Sequence, residues 1–416
     1  MRILYLYQDA IAWSAFKGPH IHIWSIINEL RKQGSEVRFI NPQPKRRVVE
    51  YHLVGEPVGE LNRGFTHSRV FKWGESAIRR LQRLLHIPYF GFFDSIRLFE
   101  SLWFERAWVE IVYERFSLMC YGGSLLARHL GIPIVLEVQA DILNLEMPFH
   151  ANRTSGLQKK IAGAITQQVL NQSAQIIAVS EEVRNQLTEA WNQCPDKISV
   201  VPCGVYPQIF SPGVSQFRTR MGWETNPVIG FIGAFYPWHG VEVLVKSFAH
   251  IRRFHPGAKL LLIGAGPELE PTKTLVKELD LEDDVFFTGI VPHDSMPDYL
   301  NAMDIAAAPY IEMDRELWFS PLKLFEYMAA GKAIVAANSG QISRILRNYE
   351  TGLLVTPGSV SEIAQAIDVL IRDPEMRQKL GEKARREAIQ HHSWESRALD
   401  TARILQEVMS RKKVKK

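Results

Sequence analysis

Short apolar runs alternate with longer amphipathic segments along most of this chain. The first run, Arg2–Tyr7, indicates a buried strand. A helix is expected to begin at Gly18, because Pro19 suits a first helical position, where its missing N–H is not needed. Gly34 ends that helix, and the next strand starts at Glu36. Such alternation is typical of parallel sheets whose strands are joined by crossover helices.

The predicted strands fall into two series, which indicates two Rossmann-like lobes. The first series continues with Glu36–Ile40, Ile134–Val138, Gln175–Val179 and Lys197–Val201. The second comprises Val228–Ile232, Lys259–Ile263, Val285–Thr288, Ile305–Ala308, Ala333–Ala336 and Gly352–Val355. Between them, Tyr206–Val214 contains two prolines and a glycine, as linkers do. We therefore predict an α/β protein with domains at 1–208 and 209–389 and a C-terminal segment at 390–416.

Composition and charge narrow the functional classes. Of the 416 residues, 46% are hydrophobic and 23% are charged, and 49 Lys and Arg against 45 Asp and Glu give a formal net charge of +4. So small a surplus argues against a nucleic-acid binder. The three cysteines, Cys120, Cys194 and Cys203, fit no metal-ligand spacing and no disulfide framework. This favours a reducing, cytoplasmic compartment.

Membrane-directed features are few. Arg2–Tyr7 lacks the basic leader and the cleavage site of a signal peptide, and no run approaches the ~20 apolar residues of a membrane-spanning helix. Residues 61–99, however, combine arginines with aromatic residues. Two interpretations stay open: a basic amphipathic insertion on an anionic membrane surface, or a helical insertion whose aromatic side chains pack on the first lobe. The basic tail, Arg411–Lys416, is expected to be a solvated terminus.

Candidate chemistry lies in the second lobe, at three turns where a predicted strand gives way to a helix. Such turns can hold phosphates, because backbone N–H groups and the helix dipole favour negative charge there. The turns contain Gly233 with His239, Gly264 with Gly266, and the segment 319–326. A Gly-x-Gly turn is weak evidence alone, since it also serves plain strand-to-helix geometry.

Lys323 and Glu326 make the third turn more informative. They are three residues apart in a first helical turn, so both side chains can point towards one ligand above the sheet. A lysine there can meet a diphosphate, and a carboxylate can accept two ribose hydroxyls. The alternative is an ordinary ion pair on the helix surface.

Several segments resemble the family 4 glycosyltransferases, retaining enzymes of the GT-B fold. The run SPLKLFEYMAAGKAIVA, at residues 320–336, is similar to the donor-site segment of that family. Further matches follow the family's order, at residues 200–205 with 210–212, 262–267, 285–289 and 393–395. The resemblance covers nearly the whole second lobe and, more loosely, the first. It implies two Rossmann-like domains that face a central cleft.

The resemblance also implies roles for matching residues. Glu326 would hold the donor ribose, and the backbone at the start of its helix would bind the diphosphate. That helix start comprises Ser320, Pro321, Leu322, Lys323 and Leu324. Gly18 resembles the first-lobe glycine of the loop that approaches the phosphates, and the last helix, after Trp394, would cross back onto the first lobe. No metal cofactor is expected, because Lys323, His239 and helix N-termini can stabilise the leaving diphosphate.

The sequence departs from the family pattern at the donor site. The family often carries another glutamate eight residues before the ribose-binding one, but Trp318 stands there, which leaves Glu312 or Glu316 to reach the sugar. The usual phosphate-binding Arg and Lys after the lobe's first strand are missing, as are the usual Asn and Asp of the interdomain motif. The residues in these regions are Ala234, Phe235 and His239, and Cys203 and Tyr206, respectively.

The acceptor is expected to bind in the first lobe. Glu114 and Arg115 follow one apolar strand and Glu137 the next, so these side chains are expected to face the cleft. The alternative is a buried ion pair between strand ends. His20 is a weaker candidate, because a histidine at a helix start is more often a capping or packing residue. The acceptor class stays open among saccharides, lipid-linked saccharides and small molecules.

The residues and the resemblance together predict a retaining glycosyltransferase that uses a nucleoside diphosphate sugar, in polysaccharide, glycolipid or glycoconjugate synthesis. Two alternatives stay open. A nucleotide-sugar 2-epimerase of the same two-lobe fold would interconvert sugars without an acceptor. A degenerate, non-catalytic partner subunit, suggested by Trp318 and Ala234, would bind nucleotide weakly or not at all.

Overall fold

Two compact units make up the described part of the chain. The computed structural model describes residues 1–8, 18–43, 47–53, 56–61, 64–84, 92–139, 156–313 and 319–414. The first unit consists of residues 1–202 together with 397–416, and the second of residues 203–396. Each unit is built of helices packed on its own sheet, as the alternating pattern predicted.

The first unit contains an eight-stranded sheet. Its strands β1–β8 are Arg2–Tyr7, Glu36–Gln43, Arg47–Leu53, Glu56–Glu60, Ile111–Arg115, Ile134–Val138, Gln175–Ala178 and Ile198–Val200. They lie in the order β4-β3-β2-β1-β5-β6-β7-β8. β3 pairs antiparallel with both of its neighbours, and the other pairs are parallel. This antiparallel edge was not predicted, because β4 is exposed along its whole length and has no apolar side that a sequence pattern could show.

The helices of the first unit share in its core. Helices α1–α6 are Gly18–Lys32, Arg69–Leu84, Phe92–Trp103, Gly122–Leu130, Leu157–Gln172 and Glu181–Glu189. One core cluster joins Leu4 and Leu6 of β1 with Leu98 and Leu102 of α3. At this end of the segment 61–99, Leu98 therefore lies in the core of the first unit, and Phe99 packs against the same cluster.

The second unit contains a six-stranded parallel sheet. Its strands β9–β14 are Val228–Ile232, Lys259–Ile263, Val285–Gly289, Ile305–Ala308, Ala333–Ala337 and Leu353–Val355, in the order β11-β10-β9-β12-β13-β14. Helices α7–α14 are Gln216–Arg220, Val241–Phe254, Leu269–Glu278, Met296–Ala302, Leu322–Ala329, Gly340–Ile345, Val360–Arg372 and Pro374–His391. Helix α15, Trp394–Val414, begins in this unit and belongs to the first unit from Arg397 onward.

Near-continuous apolar runs explain the second sheet. Val228–Ile232 and Ile305–Ala308 are buried along their whole length, as expected of parallel strands that helices cover on both faces. Both strands have the predicted bounds. The other strands of this sheet differ from prediction by at most one residue at an end, where burial stops and no pattern marks the last ladder hydrogen bond.

Each sheet has a place where the strand order reverses. This place lies between β1 and β5 in the first unit and between β9 and β12 in the second. The connections that leave two such neighbouring strands go to opposite faces of the sheet and open a crevice, in which ligands of open α/β sheets bind. The strand ends at Tyr7, Arg115, Ile232 and Ala308 are therefore where functional side chains are expected.

Candidate functional site

A tyrosine fastens helix α11 to the second sheet where its strand order reverses. The hydroxyl of Tyr327 accepts a hydrogen bond from the Ile232 N–H at 2.8 Å, at the end of β9. It donates to the carbonyl oxygen of Ala307 in β12, at 3.5 Å. Leu324 and Phe325 of the same helix are buried. The helix that carries the predicted donor residues is thereby held beside both strand ends.

Replacement of Tyr327 by phenylalanine is expected to lower the free energy of unfolding by roughly 1–3 kcal/mol, because the Ile232 N–H would stay buried without its acceptor. Tyr349→Phe is the matched control. The Tyr349 side chain is 68% exposed, so its loss is expected to change stability by less than about 0.5 kcal/mol. Urea denaturation checks both variants, and equal midpoints would contradict the anchoring role of Tyr327.

Lys323 is a buried ammonium group in the first turn of α11. The residue is 9% exposed, and its Nζ hydrogen-bonds to no residue in the described part of the chain. Nζ lies 4.2 Å from the centre of the Phe231 ring and 5.2 Å from that of Tyr310. Burial lowers the pKa of Lys323 to about 7, against an opposing effect of the Glu326 carboxylate. An anionic ligand would supply the counter-charge that this ammonium group lacks.

Glu326 contacts a histidine that the sequence analysis did not identify. The Nε2 atom of His293 lies 3.2 Å from Oε1 of Glu326. His293 begins the short helix His293–Ser295 after β11, and its ring packs edge-on against Phe210. Its position after a strand, at the carboxyl edge of the sheet, is the signal that could have found it. Because Lys323 and Glu326 are both buried, the alternative of a surface ion pair between them is wrong.

The two predicted glycine turns lie against each other. Gly233 follows β9 and Gly264 follows β10, and a Cβ on Gly264 would collide with the carbonyl oxygen of Gly233. A Cβ on Gly266 would collide with the backbone of Phe235, and one on Gly233 with Nζ of Lys323. Only glycine permits the two close backbone approaches at Gly264 and Gly266. The turns therefore bring polypeptide backbone close to the Lys323 ammonium group.

The geometry gives His239 a different part from the one that the sequence suggested. The carbonyl oxygen of Ala234 accepts a hydrogen bond from Nδ1 of His239. Burial, together with the nearby Lys323, lowers the pKa of His239 to about 3. The neutral ring therefore carries its proton on Nδ1, and its Nε2 can only accept. Donation from Nε2 to a phosphate would need a protonated ring, whereas the neutral ring packs edge-on against Tyr310 and shapes the turn.

The segment before α11 links the donor motif to the interdomain motif. The hydroxyl of Ser320 accepts a hydrogen bond from the Cys203 N–H at 3.0 Å. Pro321 is the N-cap residue of α11, whose first turn has neither a side-chain cap nor an acidic residue. The first N–H groups of a helix have no partner within it. Here they belong to Leu322 and Lys323, so backbone donors and the ammonium group share one helix start.

Two motifs that carried the resemblance pair with each other. The N–H of Val205 donates to the carbonyl oxygen of His392 at 2.9 Å, and the N–H of Trp394 donates to that of Val205 at 3.0 Å. A Cβ on Gly204 would lie 2.9 Å from the Trp394 nitrogen, so this contact requires glycine. The two segments, far apart in sequence, thus form one structural feature of the second unit.

Some predictions fall on residues that the structure does not describe. They concern Glu316 and Trp318, considered for the donor sugar, and parts of the segment 61–99. Glu312, the other candidate for the missing glutamate, is described and is exposed after β12. Contact of Glu312 with the donor sugar stays a prediction.

In the first unit, polar side chains at the strand ends form a network around Glu137. Its Oε1 lies 2.6 Å from Nε2 of His22 and 3.8 Å from a guanidinium nitrogen of Arg115. The hydroxyl of Tyr113 and the side-chain amide of Gln139 also donate to the carboxylate. Burial alone would raise the pKa of Glu137, but His22 and Arg115 lower it to about 2. The alternative of a buried ion pair is confirmed for Arg115 and Glu137.

Glu114 lies on the other face of the sheet from this network. Glu114 and Arg115 were predicted to follow one strand and Glu137 the next, but the first two lie inside β5 and Glu137 lies inside β6. Neighbouring side chains of a strand point to opposite faces. Glu114 accepts a hydrogen bond from the amide of Gln8, and its Oε2 faces Gly123 at the start of α4. Burial raises the pKa of Glu114 to about 8, so it is a neutral acid at pH 7. Glu114 and Glu137 therefore do not face one acceptor position.

The start of α1 carries the remaining first-unit candidates. Gly18 and Pro19 are its first two residues, as predicted. His20 is buried, which suits the packing role considered for it. The histidine that reaches Glu137 is His22, which the sequence analysis overlooked. Its place in the first turns of a helix that follows β1 is the signal that could have found it.

Comparison with known proteins identifies the family. A model of group 1 glycosyl transferases matches residues 215–387. A model of glycosyltransferase family 4 matches residues 16–208. The first match covers the donor-site motifs, and the second covers strands β2–β8 of the first unit and the polar network around Glu137. Both units are therefore matched by models of glycosyltransferase domains.

Similar curated proteins are glycosyltransferases with various substrates. The MMP α-(1→4)-mannosyltransferase of Mycolicibacterium hassiacum is 26% identical over 408 residues, which cover 95% of each chain. The D-inositol 3-phosphate glycosyltransferase of Corynebacterium glutamicum is 28% identical over 95% of this chain and 93% of its own. The 2-deoxystreptamine glucosyltransferase of Streptomyces kanamyceticus is 27% identical over 61% of this chain, which spans 65% of that protein's length.

Solved structures share the arrangement of strands and helices. HepE of Anabaena, in complex with UDP, has a TM-score of 0.72 at 19% identity, with 98% of this chain and 100% of that chain covered. The sucrose-phosphate synthase of Thermosynechococcus elongatus has a TM-score of 0.73 at 19% identity, with 99% and 100% covered. The predicted GT-B fold is confirmed, and the chain belongs to the family 4, group 1 glycosyltransferases.

Proposed function

We propose that this chain is a retaining transferase that moves a sugar from a nucleoside diphosphate sugar to an acceptor hydroxyl, in polysaccharide, glycolipid or glycoconjugate synthesis. The observation that carries the proposal is the Lys323 ammonium group, buried at the start of α11 without a hydrogen-bond partner among the described residues. A buried charge without a partner is destabilising. A bound diphosphate would remove that penalty, and the free energy released would strengthen its binding.

The start of α11 would stabilise a departing diphosphate. Its partial positive charge favours negative charge, and Lys323, when protonated, adds a full charge where water is scarce and electrostatic interactions are strong. Glu326 would accept hydrogen bonds from the ribose hydroxyls, with His293 beside its Oε1. The backbone at Gly233 could approach the phosphates closely. We propose that these groups act without a divalent metal ion.

The donor nucleotide can be identified by testing a panel of nucleotide sugars. Anabaena HepE was solved with UDP and with UDP-glucose, and similar curated proteins include a glucosyltransferase and a mannosyltransferase. A UDP-hexose is therefore the first donor to test, followed by GDP- and ADP-hexoses. The Glu326 carboxylate and the Lys323 ammonium group would contact parts that all these donors share.

The acceptor is proposed to be a saccharide, a lipid-linked saccharide or a small hydroxylated molecule that the first unit binds. We also propose peripheral contact with the cytoplasmic face of a membrane through the segment 61–99, which would favour a lipid-linked acceptor. Large apolar side chains of that segment, such as Trp73, are exposed. None of the helices in the described ranges has both the length and the apolar character needed to cross a bilayer.

Transfer is tested by incubating the full chain with each nucleotide sugar and a panel of free and lipid-linked acceptors. Release of nucleoside diphosphate is measured, and NMR coupling constants report the anomeric configuration of the product. An α-linked donor is expected to give an α-linked product, with and without EDTA. A β-linked product would overturn retention, and loss of activity in EDTA would overturn the metal-free mechanism.

The same assay separates the two alternatives. Interconversion of the donor sugar without any acceptor would favour a 2-epimerase. A chain that neither transfers sugar nor binds any of the nucleotides would be a non-catalytic partner. The buried lysine favours the transferase over the latter, because a bound nucleoside diphosphate would supply the counter-charge of its ammonium group.

A further inference from the structure

Helix α2 presents a row of apolar residues to the outside of the first unit. Val70, Trp73, Leu81 and Leu84 are 71%, 77%, 56% and 77% exposed, and Ala77 is exposed as well. Spacings of three, four, four and three residues place them on one side of the helix. We call these five residues the outer stripe. Surface helices usually turn such a stripe towards the core, so the orientation of α2 is inverted.

Ion pairs hold α2 in this orientation. Glu75 lies on the side of the helix away from the outer stripe and is 1% exposed. Its carboxylate is 2.6 Å from the guanidinium group of Arg97 in α3 and 2.5 Å from that of Arg79. Arg97 is equally buried, and its guanidinium group also lies 2.7 Å from the carboxylate of Asp94. Turning the outer stripe inward would break these pairs and leave a buried charge without a partner, which is strongly unfavourable.

The surroundings of the outer stripe are positively charged. Arg69 and Arg80 border it and are exposed. Glu75 is the single acidic residue in the sequence between residues 64 and 84, and it is buried. An anionic lipid surface matches both features, because its headgroups attract the arginines while its acyl region takes up the apolar side chains. Trp73 also suits the boundary between headgroups and acyl chains.

We propose that the outer stripe lies in the interface of an anionic lipid bilayer, with α2 parallel to the membrane plane and the pair of Glu75 and Arg97 fixing its orientation. The proposal rests on the peripheral membrane contact proposed above and assigns it to one helix face. Arg79 is not assigned to lipid contact, because its guanidinium group pairs with the buried Glu75.

A second copy of this chain fits the outer stripe less well than lipid does. Two stripes packed together would bring Arg69 and Arg80 of both copies to the edges of the contact. No exposed acidic side chain of α2 could face them, because Glu75 is buried. Stable helix pairs place opposite charges at these edges, so like charges would repel here.

Co-sedimentation of the full chain with lipid vesicles tests the proposal. One vesicle type contains phosphatidylcholine alone, and the other contains phosphatidylglycerol and phosphatidylcholine in equal parts. The wild type is expected to bind the anionic vesicles more tightly. Arg69→Gln with Arg80→Gln is expected to lower that partition coefficient roughly 25-fold, about fivefold for each cation near the surface. Trp73→Gln with Leu81→Gln is expected to reduce binding to background.

Val214→Gln with Phe254→Gln is the matched control, since these side chains of the second unit are 91% and 72% exposed. Its binding is expected to equal that of the wild type. Three results would overturn the proposal: no preference of the wild type for anionic vesicles, binding of the Trp73 and Leu81 variant like that of the wild type, or a wild-type dimer in solution that this variant dissociates.

Thermal shifts with nucleoside diphosphates keep this test separate from the proposed transferase function. Each variant is compared with the wild type for its Tm without ligand, which verifies folding, and for its shift with UDP, GDP and ADP. A variant that loses vesicle binding but keeps the nucleotide shift assigns the loss to α2. A wild type that binds anionic vesicles but no nucleotide would support the outer stripe and count against the donor site alone.

Discussion

Replacement of Lys323 by methionine is expected to lower kcat/KM for the nucleotide sugar by about 10²–10³-fold, as the loss of one preorganised donor to a developing negative charge does. Methionine keeps the unbranched apolar stem against Phe231 but carries no charge. Steady-state kinetics with the donor sugar measures the effect. Lys246→Met is the control, because Lys246 is partly exposed and pairs with Glu242 on the helix surface. A variant with near wild-type kcat/KM would contradict the proposed diphosphate site.

The same substitution is expected to stabilise the protein without ligand. The pKa of Lys323 is about 7 in the folded protein and 10.5 ordinarily, so at neutral and lower pH folding forces a charged group into an unfavourable place. The penalty is full below pH 7 and disappears as the pH rises from 7 to 10.5. Its upper bound is about 5 kcal/mol. The gain in Tm for Lys323→Met over the wild type should therefore be larger at pH 6 than at pH 10. A variant with a lower Tm than the wild type at pH 6 would contradict the view that the Lys323 ammonium group lacks a counter-charge.

Replacement of Glu137 by leucine is expected to lower the free energy of unfolding by about 3–5 kcal/mol at pH 7, because a buried cation and several donors lose their acceptor. The groups concerned belong to His22, Arg115, Tyr113 and Gln139. Urea denaturation measures the loss. Glu375→Leu is the control, since that carboxylate is exposed and pairs with Lys379 on the helix surface.

The effect of Glu137 should depend on pH. Its pKa is about 2 in the folded protein and 4.5 ordinarily. A lowered carboxyl pKa contributes stability that is full above pH 4.5 and is lost as the pH falls towards 2. This contribution amounts to about 3 kcal/mol. The difference between the wild type and Glu137→Leu should therefore shrink below pH 4.5, and an equal difference at pH 7 and pH 3 would contradict the charged network.

Buried parallel strands could be predicted from the sequence because burial on both faces makes the strand's own residues a continuous apolar run. Val228–Ile232 and Ile305–Ala308 are apolar throughout and were found with the right bounds. The antiparallel edge of the first sheet was missed, because Glu56–Glu60 is exposed on both sides and its pairing with Arg47–Leu53 leaves no apolar alternation. Exposed edge strands are held by ladder hydrogen bonds, which sequence patterns do not show.

At the donor site, only the contacts within one helical turn could be predicted from the sequence. Lys323 and Glu326 could be paired because their spacing alone places both at one helix start. His293 joins Glu326 across 33 residues, and His22 joins Glu137 from another element of the first unit. Such contacts depend on strand order, which the sequence analysis did not predict. The proton on Nδ1 of His239 likewise follows from its contact with the Ala234 carbonyl group.

The orientation of α2 also lay beyond the sequence. Its apolar spacing predicts an amphipathic helix in either orientation, and the usual expectation turns the apolar side inward. The deciding contact is the buried pair of Glu75 and Arg97, which joins two helices. Within the segment 61–99, α3 packs in the core, whereas α2 exposes the outer stripe. Contact of that stripe with a membrane stays a proposal.

Thermal unfolding of the wild type and of Glu326→Ala, each titrated with UDP, GDP and ADP, tests the donor site most directly. A ligand at a hundred times its Kd stabilises the folded state by about 2.7 kcal/mol. One of the three nucleotides is expected to raise the Tm of the wild type in proportion to the logarithm of its concentration, with a clearly smaller shift for Glu326→Ala. No shift of the wild type with any of the three would contradict a working donor site in the second unit.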